Sequence, residues 1–158
     1  MLASNANPYQ LDVDGRDAYL YAKDSRRPII EYIIAEGAAL YGLNNADLVG
    51  VMESVKRGAF PEIRNAVGWT PLILAAYVGD AIAVKDLIAL GVNPNRVEND
   101  GWTALHMAAH EGHEDVVKIL IEAGAGEARS WTNKKGDRPI DIAKSRGHTK
   151  LLDILKDL

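Results

Sequence analysis

Gly68-Trp69-Thr70-Pro71-Leu72 returns 33 residues later as Gly101-Trp102-Thr103-Ala104-Leu105. The same offset carries Ala75-Ala76 onto Ala108-Ala109, Gly79 onto Gly112, Val84 onto Val117, Leu87-Ile88 onto Leu120-Ile121 and Gly91 onto Gly124. A third copy follows at an offset of 35: Gly136-Asp137-Arg138-Pro139-Ile140, then Ala143, Gly147-His148, Leu151-Leu152 and Leu155. The two extra residues fall between Gly126 and Asn133, a linking stretch where a repeat array tolerates insertion. A fixed period of this length means one small structural unit stacked on copies of itself.

Each unit reads as two short helices. The first starts after Thr70, Thr103 or Arg138. A threonine oxygen caps free backbone N–H groups, and Pro71 and Pro139 stand in the first turn, where a missing N–H costs nothing. Leu72, Ala75 and Ala76 lie at i, i+3 and i+4, an apolar face of small residues that lets neighbouring helices approach closely. Gly79 and Gly112 close this helix. The second helix buries Val84, Leu87 and Ile88, or Val117, Leu120 and Ile121, and is closed by Gly91 or Gly124. Val92 to Asn95 and Asn99 to Gly101 are turn chemistry.

The strings GWTPLILAAYVGD (68–80) and GWTALHMAAHEGHEDVVKILIEAGA (101–125) resemble ankyrin repeats, and the resemblance extends over 68–158. It implies an all-α solenoid of stacked helix-turn-helix units at 68–100, 101–135 and 136–158, continuous with degenerate helical, ankyrin-like units over 1–67. In that N-terminal part, Gly15 to Ala22 reads as a degenerate first helix and Pro28 to Ala38 as a second helix closed by Gly37. Asp47 to Gly58 reads as another first helix whose partner must fit within Pro61 to Val67, a truncated unit. A second register sets Gly58 against Gly91 and Pro61 over Pro94; the truncated unit is preferred. In the last unit, Lys156 replaces Ile88 and Ile121, and Lys144 replaces Ala76 and Ala109. Polar residues at stacking positions end such an array, so a complete small solenoid is expected.

Composition bounds the function. With 47% hydrophobic and 25% charged residues, the chain is neither a disordered tail nor collagen-like. The net charge of −4 argues against a generic nucleic-acid binder. The absence of cysteine excludes a disulfide scaffold, thiolate metal sites and a cysteine nucleophile. It fits a reducing compartment, and a cytoplasmic location is expected. Apolar runs such as Leu72 to Val78 fall far short of the ~20 residues of a spanning helix. Met1 to Asp17 lacks the basic and apolar regions of a secretory signal.

The histidines are the first candidates for chemistry. His106, His110 and His113 stand at i, i+4 and i+7 with Glu111 and Glu114 between them, and two histidines at i, i+4 can share a metal. Gly112 ends the helix before His113, however, and His110-Glu111-Gly112-His113 is one residue short of a zinc-protease spacing. The resemblance implies structural roles instead: His106 follows Thr-x-Leu and ties adjacent units together, and His113 follows the helix-ending glycine. Asp12 to Asp17 hints at a calcium loop, but the acids are out of order and Lys23 stands where the twelfth-position acid belongs. It reads as a turn with Asp14 or Asp17 capping a helix. With no catalytic constellation, the expectation is a non-enzyme without metal or cofactor.

The resemblance further implies a concave groove lined by the loop tips and the exposed side of each first helix. By position these are Ala66, Val67, Trp69, Tyr77, Val78, Asn99, Asp100, Trp102, His110, Glu111, Lys134, Lys135, Asp137, Ser145 and Arg146. Trp69, Tyr77, Val78 and Trp102 are the expected apolar contacts. Asn99, Asp100, His110 and Glu111 are the polar ones, with Lys134, Lys135, Asp137 and Arg146 at the far end. Tryptophan and tyrosine dominate binding hot spots, although each indole can equally brace the stack. Between Gly91 and Asp115 the acids Glu98, Asp100, Glu111, Glu114 and Asp115 face one base, Arg96. Between Arg129 and Lys150, seven bases (Arg129, Lys134, Lys135, Arg138, Lys144, Arg146 and Lys150) face Asp137 and Asp141. An acidic middle and a basic end are therefore expected. The function expected is a monomeric, non-catalytic module that binds another protein, with neither nucleic acid nor membrane as partner. The rivals are an accessory subunit docked through its N-terminal region and a metal or small-molecule binder around His106 and His110.

Overall fold

Thr70 and Thr103 start their helices as predicted. The Thr70 Oγ1 accepts from the Ile73 amide at 3.3 Å, and the Thr103 Oγ1 accepts from the His106 amide at 3.3 Å. The computed structural model describes residues 28–156, with side chains from residue 34 onward. Its helices are α1 (Pro28–Asn45), α2 (Leu48–Lys56), α3 (Pro71–Val78), α4 (Ala81–Ala89), α5 (Ala104–Glu111), α6 (Glu114–Leu120), α7 (Pro139–Arg146) and α8 (Thr149–Leu155). Past α6 the chain turns at Gly124, at φ +100°, as it does at Gly91 one period earlier, and a 3-10 turn, Glu127–Arg129, lies in the stretch that holds the two-residue insertion. Among the described residues there is no strand.

The helices pair in order, α1 with α2, α3 with α4, α5 with α6 and α7 with α8. The pairs then stack, so that α3, α5 and α7 form one row and α4, α6 and α8 another. This is an all-α stack of paired helices. A helix in the middle of the front row is enclosed on several sides, and its composition shows it. Pro71 through Ala76 of α3 and Ala104 through Ala109 of α5 are all buried. In α7, the last of the row, only Pro139, Ile142 and Ala143 are buried, and Lys144 is exposed where Ala76 and Ala109 are buried.

Gly79 and Gly112 close α3 and α5 at φ +84° and +83°, where a left-handed residue is needed. Their missing Cβ has a second use. The ring of His113 lies over Gly79 and that of His148 over Gly112, so an added Cβ would come within 2.5 Å and 2.7 Å of the imidazoles. From there His113 Nε2 donates to the Tyr77 carbonyl and His148 Nε2 to the His110 carbonyl, both at 3.0 Å. Each ring thereby satisfies a last-turn carbonyl of the preceding unit's first helix. Glycine and the histidine from the next unit form one clasp, made twice.

His106 serves the stack differently. It is buried, and its Nδ1 lies 2.9 Å from the Thr103 hydroxyl and accepts from the Thr103 amide at 3.3 Å. Nδ1 as acceptor places the proton on Nε2. That nitrogen has no full hydrogen bond, but the backbone of Asp137 in the next unit and of Trp131 in the linking stretch favours a proton on the ring. Thr103 therefore caps α5 and orients His106 together. Thr103→Val should lower stability by about 1–2 kcal/mol, read as a fall in the urea midpoint at unchanged slope.

Two expectations are corrected in the N-terminal part. Gly37 does not close a helix; α1 continues through it to Asn45. An interior glycine costs about 1 kcal/mol, and burial of Ala38, Ala39 and Leu43 beyond it outweighs that cost. No helix forms between Pro61 and Val67, so the truncated unit is not found. Instead α2 is the second helix of a pair with α1, and the other register fits. Asp47 caps α2 as Asp80 caps α4, and Gly58 and Gly91 both follow with positive φ. This pair joins the stack irregularly, through α2 against α3. The proposed helix at 15–22 and the turn at 12–17 lie outside the described residues.

Candidate functional site

Consecutive units are linked by a tight turn built the same way three times. The amides of Asn65, Glu98 and Asn133 donate to the carbonyls of Trp69, Trp102 and Asp137 at 3.1, 2.9 and 3.0 Å. The side chains of those three residues accept in return from the amides of Trp69, Trp102 and Asp137, at 2.9, 2.9 and 3.0 Å. Neighbouring turns are then joined to each other. The Asn99 amide donates to the Val67 carbonyl at 3.1 Å, and the Lys134 amide to the Asp100 carbonyl at 2.9 Å. The Asn99 side chain adds a bond to the Ala66 carbonyl at 2.9 Å, and Arg64 adds one to the Val97 carbonyl at 3.0 Å. The turn tips thus form a continuous ledge leading into the row α3, α5 and α7.

Trp69 and Trp102 stand where this ledge meets the row. Both are partly buried against the core. Trp69 meets Tyr77 edge to face, with centroids 5.4 Å apart. Trp102 meets His110 in the same way at 5.5 Å. The second pair is the first shifted by one unit. Such contacts add about 0.5–1.5 kcal/mol beyond area burial, so the indoles brace the stack while keeping accessible surface. Beside them Tyr77, Val78 and Val67 are 40%, 47% and 53% exposed. Each leaves a large part of its apolar surface open to solvent, Tyr77 even while one side of its ring meets Trp69.

Further along, the polar candidates are partly engaged. His110 Nδ1 lies 2.6 Å from the Glu111 carboxylate, which leaves Nε2 to take the Arg146 guanidinium reaching across from α7. Lys134 lies 3.8 Å from Asp100, an exposed pair of the kind that contributes at most about 1 kcal/mol. Lys135 is exposed, Asp137 partly buried and Arg146 exposed.

The expected charge pattern needs correction. Glu98 is buried, holding its turn through the Asp100 and Trp102 amides. Glu114 is paired with Lys118 at 2.7 Å, and both it and Asp115 belong to α6 in the other row. Arg138 is held by Asp141 at 2.9 Å, and the guanidinium keeps that carboxyl below its ordinary range. Asp100 and Glu111 are what remains of the acidic middle on the groove side. Lys134, Lys135 and Arg146 remain of the basic end. Counting along the chain mixes two faces, because a helix turns its residues away from each other within two positions.

His106 and His110 do not converge on a shared point of coordination. The Nδ1 of His106 is committed to Thr103, and His110 is committed to Glu111 and Arg146. Among the described residues, no group of three or more His, Asp or Glu side chains is placed to hold a metal ion.

The sequence reading missed the three turn acceptors, although Asn65, Glu98 and Asn133 recur at the period of the repeat and always three residues before the turn glycine. It also missed the outer ties. Glu62 accepts from Arg96 at 2.9 Å and from the Asn93 amide at 2.6 Å, which holds its carboxyl below the usual range. One period on, Asn95 donates to the Gly124 carbonyl at 3.2 Å.

A family model describing three ankyrin repeats matches residues 37–129 and again 72–158. The chain belongs to the ankyrin-repeat family. The match begins inside α1, in agreement with the α1–α2 pair being a true if irregular ankyrin unit. Ankyrin repeats generally serve as protein–protein interaction modules. No curated protein matches the chain. No described helix is long and apolar enough to cross a membrane.

Proposed function

We propose that this ankyrin-repeat protein is a non-catalytic binding module that grips a partner protein along the turn ledge and the front row of helices. One observation carries the reading. Trp69, Tyr77, Val78 and Trp102 keep accessible apolar surface on rigid, backbone-braced elements, in two successive units. Rigid aromatic side chains lose little entropy on binding, and interfaces concentrate their energy on such anchors. The test is crosslinking capture from the source organism, followed by affinity measurement with the recovered partner. The double change Trp69→Ala and Trp102→Ala should weaken that partner by at least tenfold (about 1.4 kcal/mol) with the helical circular dichroism retained. Undiminished affinity in a folded variant would reject the groove.

A second reading is an accessory subunit docked through the N-terminal unit. Val49 and Phe60, in and just after α2, favour it, being 81% and 53% exposed. In that case Val49→Asp and Phe60→Asp would abolish capture while the tryptophan changes leave it intact.

A further inference from the structure

We infer that the groove takes an extended acidic peptide segment. An apolar or aromatic residue of that segment seats against Trp69 and Tyr77, and its carboxylates lie over Lys134, Lys135 and Arg146. The inference rests on the groove reading and names the chemistry of the partner.

The surface is polarised by unit. At the α3 end it offers Trp69, Tyr77, Val78 and Val67, all apolar or aromatic and none fully covered. At the α7 end Lys134, Lys135 and Arg146 are exposed; the acids near them are partly buried Asp137 and, from the unit before, Asp100 beside Lys134 and Glu111 on the far side of the His110 ring. The internal partners of the three cations are weak or neutral. Lys134 has only the long contact with exposed Asp100, and Arg146 leans on an imidazole. Among the described residues, no carboxylate lies within ion-pair distance of Lys135. These cations stand out because the whole chain is acidic, with a net charge of −4. A local reversal of sign steers and orients an acidic ligand while the rest of the surface repels it.

The geometry sets a spacing. Adjacent packed helices lie about 8–10 Å apart, so α3 to α7 spans roughly 16–20 Å. An extended chain advances about 3.3 Å per residue, which puts the acids some five or six residues from the anchor. Nucleic acid fits less well. Single-strand binders interleave several aromatic platforms with their cations, and here one exposed indole, Trp131, is near the lysines in sequence while Trp69 and Tyr77 sit at the opposite end.

The test uses the full chain to select from a random peptide display library, followed by fluorescence anisotropy with the enriched peptides. Enriched sequences should pair an aromatic or large aliphatic residue with two or more Asp or Glu five or six positions away. Lys134→Glu with Lys135→Glu and Arg146→Glu should weaken them by about tenfold or more, and exchanging the peptide acids for lysine should restore binding to that variant. Lys135→Glu alone, at an exposed and unpaired position, should give a smaller loss in the same direction. Peptides without acids, or indifferent to charge reversal but weakened by Trp69→Ala and Trp102→Ala, would overturn this inference and leave the groove reading standing. Peptides indifferent to both sets of changes would overturn both, as would failure to enrich any peptide. Tighter binding of a single-stranded RNA homopolymer than of any selected peptide would replace the inference with nucleic-acid recognition.

Discussion

Gly112→Ala should destabilise the protein by about 2–5 kcal/mol, whereas Gly147→Ala should cost about 1–2 kcal/mol. Both glycines end a front-row helix in the left-handed conformation, at φ +83° and +80°. The backbone strain of adding a Cβ is therefore matched. What differs is the surroundings. Nothing lies within 4 Å of the Cβ position at Gly147, while at Gly112 the His148 ring stands at 2.7 Å. That ring also donates to the His110 carbonyl at 3.0 Å, so it cannot retreat without losing its bond. Chemical denaturation of the two variants separates strain from crowding. Adding His148→Ala to each should recover much of the loss only in the Gly112→Ala background, a coupling of about 1–3 kcal/mol. Equal losses at Gly112 and Gly147 would show that the clasp has no such constraint.

Acid should loosen the stack through His106. Burial lowers the pKa of its ring to about 4, against an ordinary value of 6.5. Between those values the unfolded chain binds a proton that the folded chain refuses, so stability rises with pH across the window and is flat above it. Falling from pH 6.5 to 4 removes about 3 kcal/mol, at roughly 1.4 kcal/mol per unit. His106→Gln should flatten that slope, whatever it does to stability at neutral pH. Urea unfolding at pH 7.5, 6.5 and 5.5 reads the difference above the range where Glu62 and Asp141 lose their own contributions. Parallel slopes for wild type and variant would contradict the burial argument.

The repeat was legible because a stacked unit forces the same residue types to return. Thr70 and Thr103 must cap, Ala75-Ala76 and Ala108-Ala109 must be small, and Gly79 and Gly112 must accept the left-handed turn. Even His113 and His148 were visible as repeating positions, although not as rings lying on the previous unit's glycine. In the N-terminal unit local signals conflict with packing. Gly37 is a helix breaker by propensity, but Ala38, Ala39 and Leu43 have a surface to bury beyond it. The groove was legible by position and less so by charge. Glu98 counts as a surface acid until its carboxylate is seen holding the turn.

The sequence by itself determined the period, the paired helices and the likeness to ankyrin repeats, because these rest on contacts between residues near in the chain or one repeat apart. Only the tertiary structure decided which side chains stay open. Trp69 and Trp102 became braced yet accessible, Glu98 vanished into a turn, and Arg146 crossed to His110. Exposure depends on what the neighbouring unit places above each residue, and a pattern along one strand of chain does not contain that distance.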